Sequence, residues 1–148
     1  MKTILDTDIL VHASNPDSPF RKMAADIIRK SLNGEFEAVI TMQIFFEFYS
    51  VITNPRRVIR PVNRERVARV CNALWNSTEI QKISPSARTP IRALELAIRE
   101  KLNDPQIFDC VLAATCQENG VGRIYTENVK DFQAFEFLKV VNPFSTST

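Results

Sequence analysis

Three carboxylates interrupt apolar runs in this chain. Asp6 lies between Ile4-Leu5 and Ile9-Leu10-Val11, with Asp8 two residues on. Glu47 sits inside Ile44-Phe45-Phe46-Glu47-Phe48-Tyr49, and Asp109 inside Ile107-Phe108-Asp109-Cys110-Val111-Leu112. An ionised carboxylate among apolar neighbours is costly unless it is paired or hydrogen-bonded. A fold that accepts all three must give each its own partner or bring them to a shared polar site. Taken singly, Glu47 and Asp109 also read as satisfied buried acids; the set carries the argument. Lys and Arg total 19 against 17 Asp and Glu, a formal charge of +2, and none of the cations stands in sequence beside all three acids.

The pattern between these acids alternates strand and helix. Lys2 to Asp6 reads as a short buried strand, Glu37 to Thr41 as a second, Glu79 to Ile83 as a weak third, then Arg123 to Thr126 and Phe137 to Val141. Apolar spacings of three and four predict helices over Phe20 to Leu32 and after Thr41, which can cap its helix. Further helices are expected over Arg64 to Trp75 and Ser86 to Leu102, the latter through Ile91, Leu94, Leu96, Ala97, Ile98 and Leu102. Asp104-Pro105 reads as an acid cap followed by proline at the first helical position, and that helix runs to Asn119-Gly120. Asn33-Gly34 and Asn54-Pro55 are stops. The expectation is a single α/β domain over residues 1–148 with a mainly parallel sheet. In such open sheets ligands bind beyond the carboxyl ends of the strands. Asp6 and Asp8, and Asp131 after Arg123 to Thr126, fall there.

With 45% hydrophobic and 24% charged residues, a wholly disordered chain is excluded. No apolar run approaches the roughly 18 residues of a membrane span, and Asp6 comes too early for a signal peptide, so the chain reads as cytoplasmic with no membrane partner. Cys71, Cys110 and Cys116 read as buried free thiols. His12 is the single histidine, so a zinc site is not expected. It reads as an ordinary residue in the first helical turns, and Glu127 as solvent-facing.

Carboxylates converging on one rim repel each other, by ~4 kcal/mol at 4 Å and an effective dielectric near 20. A divalent cation would resolve the conflict, and all-oxygen ligands suit Mg²⁺ or Mn²⁺. Such an ion lowers the pKa of a bound water and stabilises a phosphodiester transition state. The residues therefore point to a metal-dependent phosphodiesterase. Two readings stand for Asp8: a helix cap, or support to the metal ligands from behind.

Asp6-Thr7-Asp8 after Ile4-Leu5, Glu47 after Thr41, Asp109 before Cys110-Val111-Leu112-Ala113-Ala114, and Thr126 to Phe132 together resemble the PIN-domain ribonucleases. Within these the chain resembles VapC-type toxins of toxin–antitoxin pairs, and Thr53-Asn54-Pro55-Arg56-Arg57 followed by Pro61 resembles one branch of them. The likeness spans essentially the whole chain. It implies a three-layer α/β/α fold and a Mg²⁺- or Mn²⁺-dependent endoribonuclease. It implies Asp6, Glu47 and Asp109 as the first three acids of the site. The family's fourth acid falls at Asn128, two after Thr126, and Asp131 can supply the missing charge. The family most often has Asn where this chain has Asp8. The likeness further implies a cognate antitoxin whose tail fills the groove, and a homodimer. Among Phe45, Phe46, Phe48 and Tyr49 some side chains can serve an interface.

Between Arg56 and Arg69 lie Arg56, Arg57, Arg60, Arg64, Arg66 and Arg69 against one acid, Glu65. Guanidiniums grip phosphates through paired hydrogen bonds, so Arg56, Arg57, Arg60 and Arg64 are candidate RNA-backbone contacts. A solvated helix face or a docking site for an acidic partner segment are the other readings of the same cluster. The expected chemistry is in-line attack of water on phosphorus, leaving 5′-phosphate and 3′-hydroxyl ends. Asp6 and Asp109 hold the ion, and Glu47 is a ligand or the base that positions the water. The alternative is a catalytically weak or inactive module that binds RNA or protein. A phospho-receiver would need a phosphorylatable Asp ending a central strand; here Asp109 falls in a helical pattern.

Overall fold

Thr3, Ile4 and Leu5 have no measurable exposure, and that burial follows from their place at the centre of a sheet. The computed structural model describes residues 1–145. Strands β1 (Thr3–Leu5), β2 (Ala38–Thr41), β3 (Gln81–Ile83), β4 (Arg123–Tyr125) and β5 (Lys139–Val141) form one sheet in the order β3-β2-β1-β4-β5. Every pairing is parallel, with Ile4 opposite Val39 on one side and Ile124 on the other. A strand covered on both faces carries no polar alternation, hence the continuous apolar runs of β1 and β2.

The connections are helical: α1 (Thr7–Ser14), α2 (Arg21–Leu32), α3 (Met42–Ile52), α4 (Arg64–Asn76), α5 (Thr89–Arg99), α6 (Gln106–Glu118) and α7 (Val129–Phe132). Helix α1 packs against α2 and α3, and α3 against α4, while α5 packs against α6 and α6 against α7. The two groups flank the sheet, giving the expected α/β/α layers. Helix α3 buries Ile44, Phe48 and Ile52, spaced by four along one stripe. That stripe leaves Glu47 on a neighbouring face, away from the deepest packing. Gly34 and Gly120 stand at φ 68° and 69° just past the ends of α2 and α6, where a side chain would be strained.

Several local expectations need correction. Asp104 does not cap α6: it adopts a left-handed φ of 50°, Pro105 occupies the capping position, and no side-chain cap bond forms. Thr41 stands at the start of α3, yet its buried side chain accepts no cap hydrogen bond. Helix α5 begins at Thr89 rather than Ser86; a turn at Ala87 and Arg88 precedes it, and Ser86 N–H donates to Thr89 Oγ1 at 2.8 Å across that turn. The apolar residues of α5 also divide between two faces. Ala93, Leu96 and Ala97 are buried, whereas Ile91, Leu94 and Ile98 are exposed at 63%, 52% and 79%. A 3.6-residue period cannot turn both sets inward. Cys110 and Cys116 are buried free thiols and Cys71 is half-buried. No helix among the described residues is long and apolar enough to cross a membrane.

Phe48 is fully buried in the core that fixes the orientation of α3. Its replacement by Ala is expected to destabilise the fold by about 3–5 kcal/mol, read from urea unfolding.

Candidate active site

The parallel pairing of β1 with β4 sets Leu5 beside Tyr125, so the residues that follow, Asp6 and Thr126, meet at the carboxyl edge of the sheet. Asp6 N–H donates to Tyr125 O at 3.0 Å, extending the ladder by one bond. The side chain of Asp6 then caps α1, accepting from Thr7 N–H at 2.8 Å. Its other oxygen accepts from Thr126 Oγ1 at 2.7 Å. Thr126 Oγ1 also lies 3.2 Å from Asp8 Oδ2, and it accepts from Asn128 N–H at 3.0 Å. Asp8 Oδ2 in turn accepts from Glu127 N–H at 2.6 Å. Asp6 is therefore the cap, and Asp8 binds the turn after β4 instead.

Glu47 reaches this edge from α3. Its Oε2 accepts from Thr7 Oγ1 at 2.7 Å and its Oε1 from Gln43 Nε2 at 2.9 Å. Gln43 Nε2 also contacts Phe108 O at 3.3 Å, which ties α3 to the start of α6 one residue before Asp109. Asp6, Thr7, Asp8, Glu47, Asp109, Asn128 and Asp131 line one open cleft of about 780 Å³, with Arg57 on its wall. Thr126 is buried behind the lining. Among the four candidate arginines, Arg57 alone lines the cleft. Arg60 forks onto Asp17 at 2.8 and 3.2 Å, while Arg56 and Arg64 are exposed away from the lining.

The electrostatics follow from burial and crowding. Burial first, then the charge of Asp8, push the Asp6 carboxyl up to about 7, against the opposing pull of the Thr126 and Thr7 hydrogen bonds; Glu47 adds to the rise. Burial also raises Asp8, with the Glu127 N–H holding it back. Burial, then Asp131 and Glu47, raise Asp109 to about 6. Among the described residues no Lys or Arg forms an ion pair with Asp6, Asp8, Glu47, Asp109 or Asp131. Asp8 Oδ1 is buried with no hydrogen-bond partner. An all-oxygen donor set with an orphaned carboxylate oxygen and unrelieved repulsion has the chemistry that a hard cation relieves. Among the described residues, no three His, Cys, Asp or Glu side chains already stand as a ligand group.

Three participants escape a reading of the sequence. Thr7 is an unremarked residue between two acids. Gln43 stands four before Glu47, a spacing that places both on one helix face and is legible in hindsight. His12 lies in the last turn of α1, not its first. Its Nε2 is 2.7 Å from Glu127 Oε2 and its Nδ1 2.6 Å from Ser18 Oγ. That contact also ties down Glu127, expected to face solvent and in fact exposed but paired.

Comparison with known proteins bears on the family and the fold. A family model described as PIN domain matches residues 3–138. Ribonuclease VapC24 of Mycobacterium tuberculosis is 27% identical over 142 residues, covering 96% of this chain and 97% of that protein. The crystal structure of Mycobacterium tuberculosis VapC20, a Sarcin-Ricin loop cleaving toxin, superposes with a TM-score of 0.66 at 15% identity, over 89% of this chain and 94% of that one. A toxin–antitoxin complex from Klebsiella pneumoniae contains a chain that superposes with a TM-score of 0.64 at 19% identity, over 97% and 99%. At such identities the structural likeness speaks for the fold.

The raised carboxyls make a signed prediction for the metal-free protein. Asp6 and Asp109 hold protons in the folded state at pH values where the unfolded chain has released them, so stability falls as pH rises from about 4 toward 7. Asp6→Asn in EDTA is expected to flatten most of that slope. Near neutral to mildly alkaline pH it should exceed wild type by on the order of 1–3 kcal/mol in urea unfolding, each tenfold in proton affinity being worth about 1.4 kcal/mol.

Proposed function

The chain belongs to the PIN domain family, and from that premise we propose that it is a Mg²⁺- or Mn²⁺-dependent endoribonuclease, the toxin of a toxin–antitoxin pair. The observation that carries the reading is the meeting of Asp6, Glu47 and Asp109 with Asp8 and Asp131 in one cleft, with no Lys or Arg paired to them among the described residues. The names of the similar proteins, a ribonuclease and a toxin that cleaves the sarcin–ricin loop, support RNA as the substrate class.

In this reading Asp6 and Asp109 hold the ion, with Glu47 as a further ligand or as the base. When bound, the ion would neutralise the carboxylates, lower the pKa of a coordinated water and offset charge on the phosphoryl oxygens. The remaining work falls to the chain. Thr126 and Thr7 N–H orient Asp6 from opposite sides. Thr7 Oγ1 and Gln43 orient Glu47 so that its carboxylate can position the attacking water and take its proton. Asp131 supplies the fourth carboxylate where position 128 carries Asn, and it stands near enough to Asp109 to raise it. Attack in line breaks the bond from phosphorus to the 3′ oxygen, leaving 5′-phosphate and 3′-hydroxyl ends. Arg57 binds a neighbouring phosphate, and the exposed Arg56 and Arg64 extend the contact along the backbone, while Arg60 would first have to leave Asp17. The antitoxin's tail occupies the same cleft, and the exposed Ile91, Leu94 and Ile98 of α5 offer a face for a second copy. The toxin acts in the cytoplasm.

Purified protein is expected to cut a panel of structured RNAs with Mn²⁺ and to stop in excess EDTA. Asp6→Asn should keep the fold and lose cleavage by about 10²-fold or more. Mn²⁺ should raise the melting temperature of wild type and not of Asp6→Asn. Equal cleavage in EDTA would sink the metal mechanism. Metal binding without turnover on any RNA would favour the inactive binding module, which Asn128 in place of the usual acid keeps in play.

A further inference from the structure

Phe46 lines the cleft, and none of the chemistry above uses it. Its side chain is 69% exposed although it stands next to Glu47 on α3. The other ring systems of the lining are closed to a ligand. Phe132 is 2% exposed. His12 has both nitrogens engaged and its ring packed edge-on against Phe20 and Phe144.

From this placement we infer that Phe46 is a stacking platform for a nucleobase of the bound strand, with Arg57 holding the phosphate on its far side. The inference rests on the ribonuclease reading and adds to it a subsite and its ligand class. Along α3 the cleft-facing residues are Phe46, Glu47, Ser50 and Val51, a continuous strip at spacings of one, three and four. Arg57 and Val58 return to the same wall after the helix ends at Ile52. Unlike Arg60, Arg57 has no carboxylate partner among the described residues. The same wall therefore carries clustered carboxylates, an open aromatic face and a guanidinium with no carboxylate partner among the described residues. One nucleotide step presents groups that complement these three: scissile phosphate, base, next phosphate. Stacking on an aromatic face is a strong and base-tolerant contact for single strands. A peptide strand in the same position would need partners for its backbone N–H and C=O groups, and between Phe46 and Arg57 the lining offers only Ser50 and Glu47, the latter already bonded to Thr7 and Gln43. Met42 and Tyr49 share the exposed side of α3 with Phe46 but stand outside the cleft. A contact with protein would engage those residues as well.

Stacking on a ring face reads no base edge, so Phe46 sets affinity and register without choosing a base. The test uses the full chain with Ca²⁺ in place of the activating ion. Binding is read by fluorescence anisotropy to a labelled oligoadenylate and to an abasic ribose-phosphate strand of equal length and charge. Phe46→Ala is expected to weaken oligoadenylate binding about tenfold and to leave the abasic strand unchanged, with Phe46→Trp restoring the difference. Arg57→Ala should weaken both strands and reduce the salt dependence, whereas Phe46→Ala should not alter that slope. Equal weakening of both strands by Phe46→Ala, no change in either, or an effect confined to self-association in sedimentation would overturn the inference. If wild type neither binds nor cuts any RNA, the ribonuclease reading itself fails. If wild type cuts RNA and Phe46→Ala discriminates the two strands as wild type does, the stacking subsite alone falls.

Discussion

The hydrogen bond from Thr126 to Asp6 joins the ends of two strands that are far apart in sequence and adjacent in the sheet. Parallel pairing of β1 with β4 brings the two residues level, and the hydroxyl then satisfies a carboxylate that burial would otherwise make untenable. The turn that follows Thr126 is held by the same group of acids, since Glu127 N–H binds Asp8 and Asn128 N–H binds Thr126. The position of Asn128 and Asp131 along the cleft thus depends on a bond made by a residue that is itself hidden from solvent. The strand order β3-β2-β1-β4-β5 places this junction where chain progression reverses direction across the sheet, the point at which open α/β sheets leave a crevice.

Around that junction the molecule holds like charges together without cationic relief. Hydrogen bonds from uncharged groups do the holding: Thr7, Gln43, Thr126 and backbone amides. Such donors orient carboxylates without neutralising them, so the site retains its negative potential. A paired arginine would have stabilised the fold and filled the position a ligand needs. Burial first, and the neighbouring carboxylates after it, raise Asp6 and Asp109, and these two groups set stability and site chemistry against each other.

The elements differ in how far local pattern reached. Strand β1 and helix α3 were legible because their apolar residues follow one period and one stripe, Ile4-Leu5 in the first case and Ile44, Phe48 and Ile52 in the second. Helix α5 was legible as a helix but not in its packing, because Ile91, Leu94 and Ile98 are exposed on a helical face although they fit the apolar period. Periodicity reports that a face is apolar, not that it is buried. Asp104 misled for a related reason: the dipeptide Asp-Pro suits a helix start, yet the backbone at Asp104 is left-handed, its side chain makes no cap bond, and backbone carbonyls take the first N–H groups of α6. In the arginine-rich stretch charge alone could not separate Arg57, on the cleft wall, from Arg60, drawn to Asp17.

By itself the amino-acid order determined that the chain forms alternating strands and helices, and that acids placed in apolar runs need a common resolution. Both follow from local preferences and from the cost of a buried charge, which hold wherever the segments end up. Which hydroxyl steadies Asp6, which hydroxyl steadies Glu47, that His12 holds the turn after β4, and that Phe46 lies open beside the acids were decided only in three dimensions. Those relations join residues some 40 to 120 positions apart or rest on which face a neighbour happens to cover. No window of sequence short enough to carry a periodicity contains both partners.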